Sequence, residues 1–397
     1  MTNKAPLRIA IDLTATPRSK TGIGRYMLGL LKGLQAVDKV NEYYLFTQDD
    51  DLDGFGVFAP NFHVVPCNSK ILRKQYIRIL WEQVVFPWRL RKLNIDVLHC
   101  PNFTMPYPVR LVHPKMAVVG TFHDMTYFFL PEYHVGWKRE FFKAYIKLTA
   151  PRADKIITIS KNSANDIPKY CKPKNKDFAI TYMGVKETFF EGEPATDDVL
   201  AKYKIEGDYI IYVGTLEPRK NIPGLIAGYS MLEKDLRDKF KLVIVGKKGW
   251  LYDEIYETIQ KNPDIKDNII FTGYVDDEDM IPLIKRARVL AYVSHYEGFG
   301  IPVIEGMAAG VRVVTSYGSS LEEVSGGNAI LCEPSKVDTI KSALNKALTE
   351  SPEVANEAIA KAKEHARIFN WEACGEGSVK AYEDAVSFRE SRKSKQN

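Results

Sequence analysis

Short apolar runs alternate with longer amphipathic stretches along this chain, the pattern of parallel α/β sheets. Residues 7–13, LRIAIDL, predict a first buried strand, and residues 21–35, TGIGRYMLGLLKGLQ, predict a glycine-rich turn feeding a helix. Further strands are expected at 43–47 (YYLFT), 62–66 (FHVVP), 96–100 (DVLHC), 116–124 (MAVVGTFHD) and 155–160 (KIITIS). The same alternation restarts near residue 209, with a strand at 209–215 (YIIYVGT) and a helix at 221–232 (NIPGLIAGYSML). Strands follow at 240–246 (FKLVIVG), 268–273 (NIIFTG) and 289–294 (VLAYVS).

Two copies of one pattern predict two Rossmann-like domains, residues 1–185 and 208–375. The polar stretch 186–207 holds Gly and Pro and no sustained apolar period, so it is expected to be a linker. Near the C-terminus, Trp371, Val379, Tyr382 and Val386 can share one helix face. A helix over 376–392 is expected to return to the first domain, with a frayed tail from Ser391. Two such sheets facing each other would bind ligands in the cleft at the carboxyl ends of their strands.

Composition narrows the picture. A chain of 397 residues suits two domains. The excess of Lys and Arg, 55 against 50 Asp and Glu, favours anionic ligands or an acidic membrane surface and does not call for nucleic acid. Cys67, Cys100, Cys171, Cys332 and Cys374 are scattered and never form CxxC, which points to a reducing compartment and no zinc site. The start lacks the apolar run of a signal peptide and no segment is long and apolar enough to span a bilayer, so a cytoplasmic protein is expected.

The strongest chemical signal is SHYEGFGIPVIEGMAAGVRVVTS, residues 294–316. It reads as a strand end, a glycine loop, a helix start and a next strand. Gly298 and Gly300 permit tight backbone turns, and Pro302 suits the first turn of a helix. Glu297 precedes that helix and Glu305 lies inside its apolar opening, so the two can hold different parts of one extended ligand. Carboxylates suit sugar and ribose hydroxyls. The plainer reading makes Glu297 a helix cap, but a carboxylate within VIEGMAAG needs partners.

This segment resembles the E-x7-E signature of the retaining glycosyltransferase family 4, whose fold is GT-B. Similar motifs run in family order through nearly the whole chain: GIGRY near the start, FHD at 122–124, VGTLEPRKN at 213–221, YEGFGIPVIEGMAAG, and SSLEEVSGGNAILCEP at 319–334. The resemblance is greatest to bacterial mannosyltransferases of polysaccharide assembly. It implies an N-terminal acceptor domain and a C-terminal nucleotide-sugar domain. It implies that Glu305 holds the ribose of the donor and that Glu297 sits by the transferred sugar. Gly298, Phe299, Gly300 and Ile301 would line the donor beside them. Arg219 and Lys220 match the basic pair on the donor diphosphate, where fixed cations stabilise the charge that grows as the glycosidic bond breaks. They would serve in place of a metal. Many relatives carry an arginine after the glycine of this strand, whereas Thr215 follows Gly214 here. Family mechanism is front-face displacement with retention, the departing phosphate helping to deprotonate the acceptor hydroxyl.

Other positions follow from the same resemblance. Gly22 and Gly24 would let backbone approach the diphosphate, though TGIG alone is not a dinucleotide fingerprint. His123 and Asp124 end a strand where acceptor and sugar would lie, and His123, Glu297, Arg219 and Lys220 are the expected catalytic set. A histidine satisfied in the core is the alternative for His123. Lys247 and Lys248 follow another strand near the expected nucleotide pocket, or are surface lysines. Ser319, Ser320 and Leu321 would offer amides and hydroxyls to phosphate. Within residues 71–95, Tyr76, Ile77, Leu80, Trp81 and Val84 are flanked by Arg and Lys. Exposed, this stretch suits an anionic membrane at the inner face of the plasma membrane; packed, it is a core helix with basic edges, and the packed reading is preferred.

The expected activity is transfer of a hexose, mannose from GDP-mannose, to a glycan or lipid-linked saccharide, with no cofactor beyond the donor. A UDP-sugar donor is the alternative. A non-catalytic nucleotide-sugar-binding protein is disfavoured by Glu297, Glu305, Arg219 and Lys220 together. A phosphorylase would need a pyridoxal-phosphate lysine environment that the sequence does not display.

Overall fold

A computed structural model of the chain describes residues 5–16, 22–51, 56, 58–129, 136–247 and 253–394. It divides into two units, Met1–Gly184 with Asn370–Asn397, and Val185–Phe369. The first holds β1 (Arg8–Asp12), β2 (Glu42–Gln48), β3 (Phe62–Cys67), β4 (Val97–Cys100), β5 (Ala117–Phe122), β6 (Lys155–Thr158) and β7 (Ala179–Ile180). They form one sheet in the order β3-β2-β1-β4-β5-β6-β7, with neighbours parallel. The second holds β8 (Asp208–Val213), β9 (Phe240–Val245), β10 (Ile269–Gly273), β11 (Val289–Tyr292), β12 (Arg312–Ser316) and β13 (Ile330–Cys332). Their order is β10-β9-β8-β11-β12-β13, again parallel.

Both sheets are Rossmann-like, as the repeated strand pattern predicts. Their inner strands are apolar on both faces because helices cover both sides; β5 and β11 are buried throughout. In each unit the chain lays two strands to one side of its first strand, then returns to the other side. The crevices left at the carboxyl ends, between β1 and β4 and between β8 and β11, are the positions where such sheets bind ligands.

The helix Trp371–Ser394 belongs to the first unit and packs along the helix Ile23–Val37. Two glycines make this possible. A Cβ at Gly33 would lie 1.9 Å from the Trp371 carbonyl oxygen, and one at Gly29 would lie 2.2 Å from the Trp371 indole. A buried polar chain continues the contact: Tyr382 Oη lies 2.8 Å from His99 Nδ1, and His99 Nε2 lies 2.8 Å from Thr121 Oγ1. Burial pushes His99 down to about 3, so its ring is neutral. The helix runs to Ser394, beyond the frayed end expected at Ser391.

The stretch 186–207 differs from a plain linker. It carries the helices Thr188–Glu191 and Asp197–Lys202 and lies in the second unit. Its larger apolar side chains Phe189, Phe190, Leu200 and Ile205 are nevertheless buried. Ala195 N donates to Pro282 O at 3.0 Å and the Tyr203 hydroxyl to Asp279 at 2.7 Å, which ties it to the helix Asp277–Arg286.

Residues 71–95 correct the packed reading. They form the helices Gln75–Val84 and Phe86–Lys92, with Pro87 in the first turn of the second. Tyr76 is 65% exposed, Leu80 63%, Val84 56% and Trp88 60%. Helical spacing does align these residues, but on the outer face. Glu82, whose carboxylate lies 3.3 Å from Arg78 Nε, takes the buried face, while Trp81, Phe86 and Leu90 supply the core contact.

Candidate active site

In the second unit the site begins where β8 ends. Gly214 and Gly246 bring two strand ends together so closely that a Cβ at Gly246 would lie 1.8 Å from the Gly214 carbonyl oxygen. The chain then turns through Pro218–Lys220 into Asn221, whose left-handed backbone (φ 56°) starts the helix Ile222–Ser230. Asn221 Nδ2 donates to Val293 O at 3.1 Å and to Pro334 O at 2.7 Å, and His295 N donates to Arg219 O at 2.9 Å. These bonds fasten the loop after β8 to the segment after β11, at the switch point of the sheet.

There the structure brings Arg219, Lys220 and Glu297 together. Arg219 Nη1 donates to Glu297 Oε2 at 2.5 Å and to Tyr296 O at 2.9 Å, while its Nη2 donates to Glu217 at 2.8 Å. Lys220 Nζ donates to Glu297 Oε1 at 2.6 Å and to the Tyr292 hydroxyl at 2.5 Å. Tyr292 in turn donates to Glu297 Oε1 at 2.9 Å. Burial alone would raise the Glu297 carboxyl, but Arg219 and Lys220 outweigh it and hold the group at about 2. Glu297 is therefore ionised and has no proton to give. Burial, with the Arg219 charge beside it, pulls Lys220 below the usual lysine range. An incoming anion would relieve that strain on the ammonium.

The glycine loop is clamped from behind. The Ser320 hydroxyl lies 2.7 Å from Glu297 O and 2.9 Å from Phe299 O, so it holds the loop through these carbonyls. Gly300 caps the helix Ile301–Ala308 with φ 109°, where a Cβ would lie 2.4 Å from Leu321 Cδ2. Glu305 is buried in that helix. Phe299 goes to the core, its ring centroid 5.8 Å from that of Phe369. Gly298 is buried and Ile301 partly so. Thr215 is exposed, and its carbonyl accepts from the Tyr212 hydroxyl at 3.2 Å. Lys247 is also exposed, its ammonium 4.2 Å from the Tyr274 ring centroid. Lys248 lies outside the described residues, as does Thr21 of the N-terminal glycine turn.

In the first unit, Gly22 (φ 49°) caps the helix Ile23–Val37, whose first turn has no acidic residue, and Gly24 is buried inside it. His123 follows β5. Its Nε2 lies 2.9 Å from Pro101 O, which requires the proton on Nε2 and leaves Nδ1 as acceptor in the neutral ring. Burial lowers its pKa. The edge of Tyr26 meets this ring, with centroids 4.8 Å apart. Asp124 Oδ1 accepts from Thr126 N and Oγ1 at 3.1 and 2.8 Å, a local turn that starts the short helix Thr126–Phe129. Nearby, at the end of β1, Asp12 accepts from Thr14 at 2.7 Å, and burial with Asp12 pushes Glu82 up to about 8.

Sequence reasoning missed Tyr292 and Glu217, which complete the cation cluster. Tyr292 was legible only as a strand residue; the available signal was a tyrosine at a strand end, whose hydroxyl needs a partner when buried. Glu217 precedes the basic pair in EPRKN and balances Arg219. Among the described residues no group of three or more His, Cys, Asp or Glu side chains could hold a metal ion.

Known proteins resemble both units of the chain. The model for Glycosyltransferase Family 4 matches residues 20–189, and that for Glycosyl transferases group 1 matches residues 198–365. The O-antigen chain mannosyltransferase B of Escherichia coli is 31% identical, over 91% of this chain and 96% of that protein. The O-antigen chain mannosyltransferase RfbU of Salmonella typhimurium is 26% identical, over 84% and 89% of the two chains. The sucrose-phosphate synthase of Thermosynechococcus elongatus superposes with a TM-score of 0.74 over 95% of this chain and 98% of that one, at 20% identity, a likeness of fold.

Proposed function

The chain belongs to the family 4 glycosyltransferases, and from that premise we propose that it transfers mannose from GDP-mannose to a saccharide or lipid-linked saccharide acceptor without a metal ion. It is a glycosyltransferase of the GT-B fold, and its O-antigen relatives support a mannosyltransferase of glycan assembly. The observation that carries the proposal is the Arg219–Lys220–Glu297 cluster at the switch point of the second sheet.

The proposed roles follow from its bonds. Arg219 and Lys220 take the donor diphosphate and stabilise the charge on the leaving phosphate. Glu297 has both oxygens occupied by cations, so it aligns them and reaches the sugar hydroxyls rather than attacking the anomeric carbon. Glu305 takes the ribose, and the amides of Gly298, Gly300 and Ile301 line the donor. His123, neutral with Nδ1 as acceptor, receives a hydroxyl hydrogen bond from sugar or acceptor. Asp124 serves the acceptor by shaping the turn after β5.

Titration with GDP-mannose and UDP-glucose, without divalent metal, tests the proposal. GDP-mannose is expected to bind the wild-type chain, and Glu305→Ala to weaken it by about tenfold or more, the cost of a charge-assisted ribose contact. UDP-glucose binding in its place would overturn the choice of donor. Binding unchanged by Glu305→Ala would remove that residue from the site.

The exposed face of residues 71–95 supports a second element of the reading, peripheral contact with an anionic membrane. Val84, Val85 and Trp88 stand beside Arg89 and Lys92 around an open cavity of about 390 Å³. Apolar side chains ringed by cations suit the headgroup boundary. No helix of the described residues is long and apolar enough to cross a membrane. Phosphatidylglycerol vesicles should sediment the chain at low salt, and Leu80→Glu with Trp88→Glu should release it. Equal retention of the two chains would end this idea.

A further inference from the structure

Five cations converge at the amino-terminal edge of the first sheet. Arg110 precedes β5, Arg152 precedes β6 and Lys174 precedes β7, while Arg389 and Arg392 come from the end of the helix Trp371–Ser394. With Pro151 they line a cavity of about 180 Å³. A water molecule takes about 30 Å³ of liquid volume, so the space is that of a small polyatomic ligand. His123 lies at the opposite end of β5, about 20 Å along the strand at its usual rise. This cavity is therefore separate from the crevice at the carboxyl ends of the same sheet.

The guanidinium groups are held mainly by neutral acceptors, which fix them without cancelling their charge. Arg389 Nε and Nη2 both donate to Pro114 O, at 3.2 and 2.6 Å. Arg152 Nη1 donates to Leu148 O at 2.8 Å, and its guanidinium lies 3.7 Å from the Tyr107 ring centroid. Arg110 has a carboxylate partner, Asp154, at 2.8 Å. Among the described residues Arg152, Lys174, Arg389 and Arg392 have no salt bridge. Five cations thus face one carboxylate. Arg392, then burial and the other three arginines, pull Lys174 below its usual range. Like charges held this close store repulsion that a multivalent anion relieves. Planar guanidinium forks match phosphate oxygens in particular.

We infer that this cavity binds the phosphate groups of a multiply charged ligand, at a site distinct from the one proposed for the donor. The same chemistry is offered by a soluble phosphorylated compound and by the headgroups of an anionic lipid.

Pyrophosphate is the probe, titrated at low salt into a chain carrying Arg219→Gln and Lys220→Gln, so that the cluster in the second unit does not contribute. One site is expected. Adding Lys174→Gln and Arg392→Gln should weaken it by about tenfold or more. Lys174 is exposed and Arg392 partly so, and neither makes an ion pair among the described residues, so these changes leave folding intact. Absence of pyrophosphate binding, or an unchanged affinity after Lys174→Gln and Arg392→Gln, would overturn the inference. Sedimentation with phosphatidylglycerol vesicles then separates the sources. Retention weakened by the same two changes assigns a lipid headgroup, and retention indifferent to them assigns a soluble phosphate.

Discussion

Lys220→Met should lower kcat/KM by about two to three orders of magnitude, with most of the loss in kcat. The reason is where the charge stands. Lys220 Nζ is held by Glu297 Oε1 at 2.6 Å and the Tyr292 hydroxyl at 2.5 Å, with most of its side chain removed from solvent. A cation fixed there needs no reorganisation when a leaving phosphate gains charge, and its effect is larger than in solvent. In the ground state the diphosphate is already charged and Arg219 remains to bind it. KM should therefore move less than kcat. Steady-state transfer at several donor concentrations separates the two. A variant whose KM rises while kcat is kept would show Lys220 acting equally on bound donor and transition state, which contradicts the proposed role.

Glu297→Ala should destabilise the second unit by about 3–5 kcal/mol near neutral pH, as expected when one member of a buried ion cluster is removed. Arg219 would keep Glu217, but Lys220 would keep only the Tyr292 hydroxyl among the bonds described above. The pH dependence identifies the cause. Glu297 is held at about 2 against an ordinary 4.5, equivalent to about 3 kcal/mol of stabilisation. A carboxyl lowered on folding contributes in full above its unfolded value and loses that contribution as pH falls through its folded value. The gap between wild type and Glu297→Ala should thus be widest above pH 4.5 and close towards pH 2. Burial of Lys220 beside Arg219 acts in the opposite sense and trims the total. Urea unfolding of both chains across this range measures the gap. A constant difference would mean that lost packing, rather than lost charge, sets the stability.

The two results together would separate holding the site from using it. Lys220→Met leaves Glu297 with Arg219 at 2.5 Å, so its main effect should appear in rate. Glu297→Ala leaves cations facing each other, so stability and rate should fall together.

Strand positions and fold class were legible because buried parallel strands must be nearly continuous apolar runs, as in AVVGTF of β5 and VLAY of β11. The functional ends were legible for a related reason. Chemistry at a parallel sheet collects where strands stop, and HYEGFG and EPRKN both follow strand ends. The sequence alone therefore determined two Rossmann-like domains and the glycine loop before an apolar helix with Glu297 ahead of it, and its resemblance to a family added Arg219 and Lys220 as candidates for the same site.

Tertiary structure decided who meets whom. Arg219 and Glu297 are 78 positions apart, and only the pairing of β8 with β11 makes them neighbours. Ser320 could have offered its hydroxyl to a ligand, but the fold turns it onto the carbonyls of the glycine loop. The stretch 71–95 is the clearest case. Its periodicity defines an apolar face but not which side of the helix the core takes, and Phe86, Leu90 and Glu82 leave Tyr76, Leu80 and Trp88 outside. The five-cation cavity was illegible for the same reason. Its members are scattered from Arg110 to Arg392, and only the adjacency of β5, β6 and β7 together with the returning C-terminal helix gathers them. Local pattern records how each segment folds; contacts between distant segments depend on sheet order and helix docking, which no window of sequence contains.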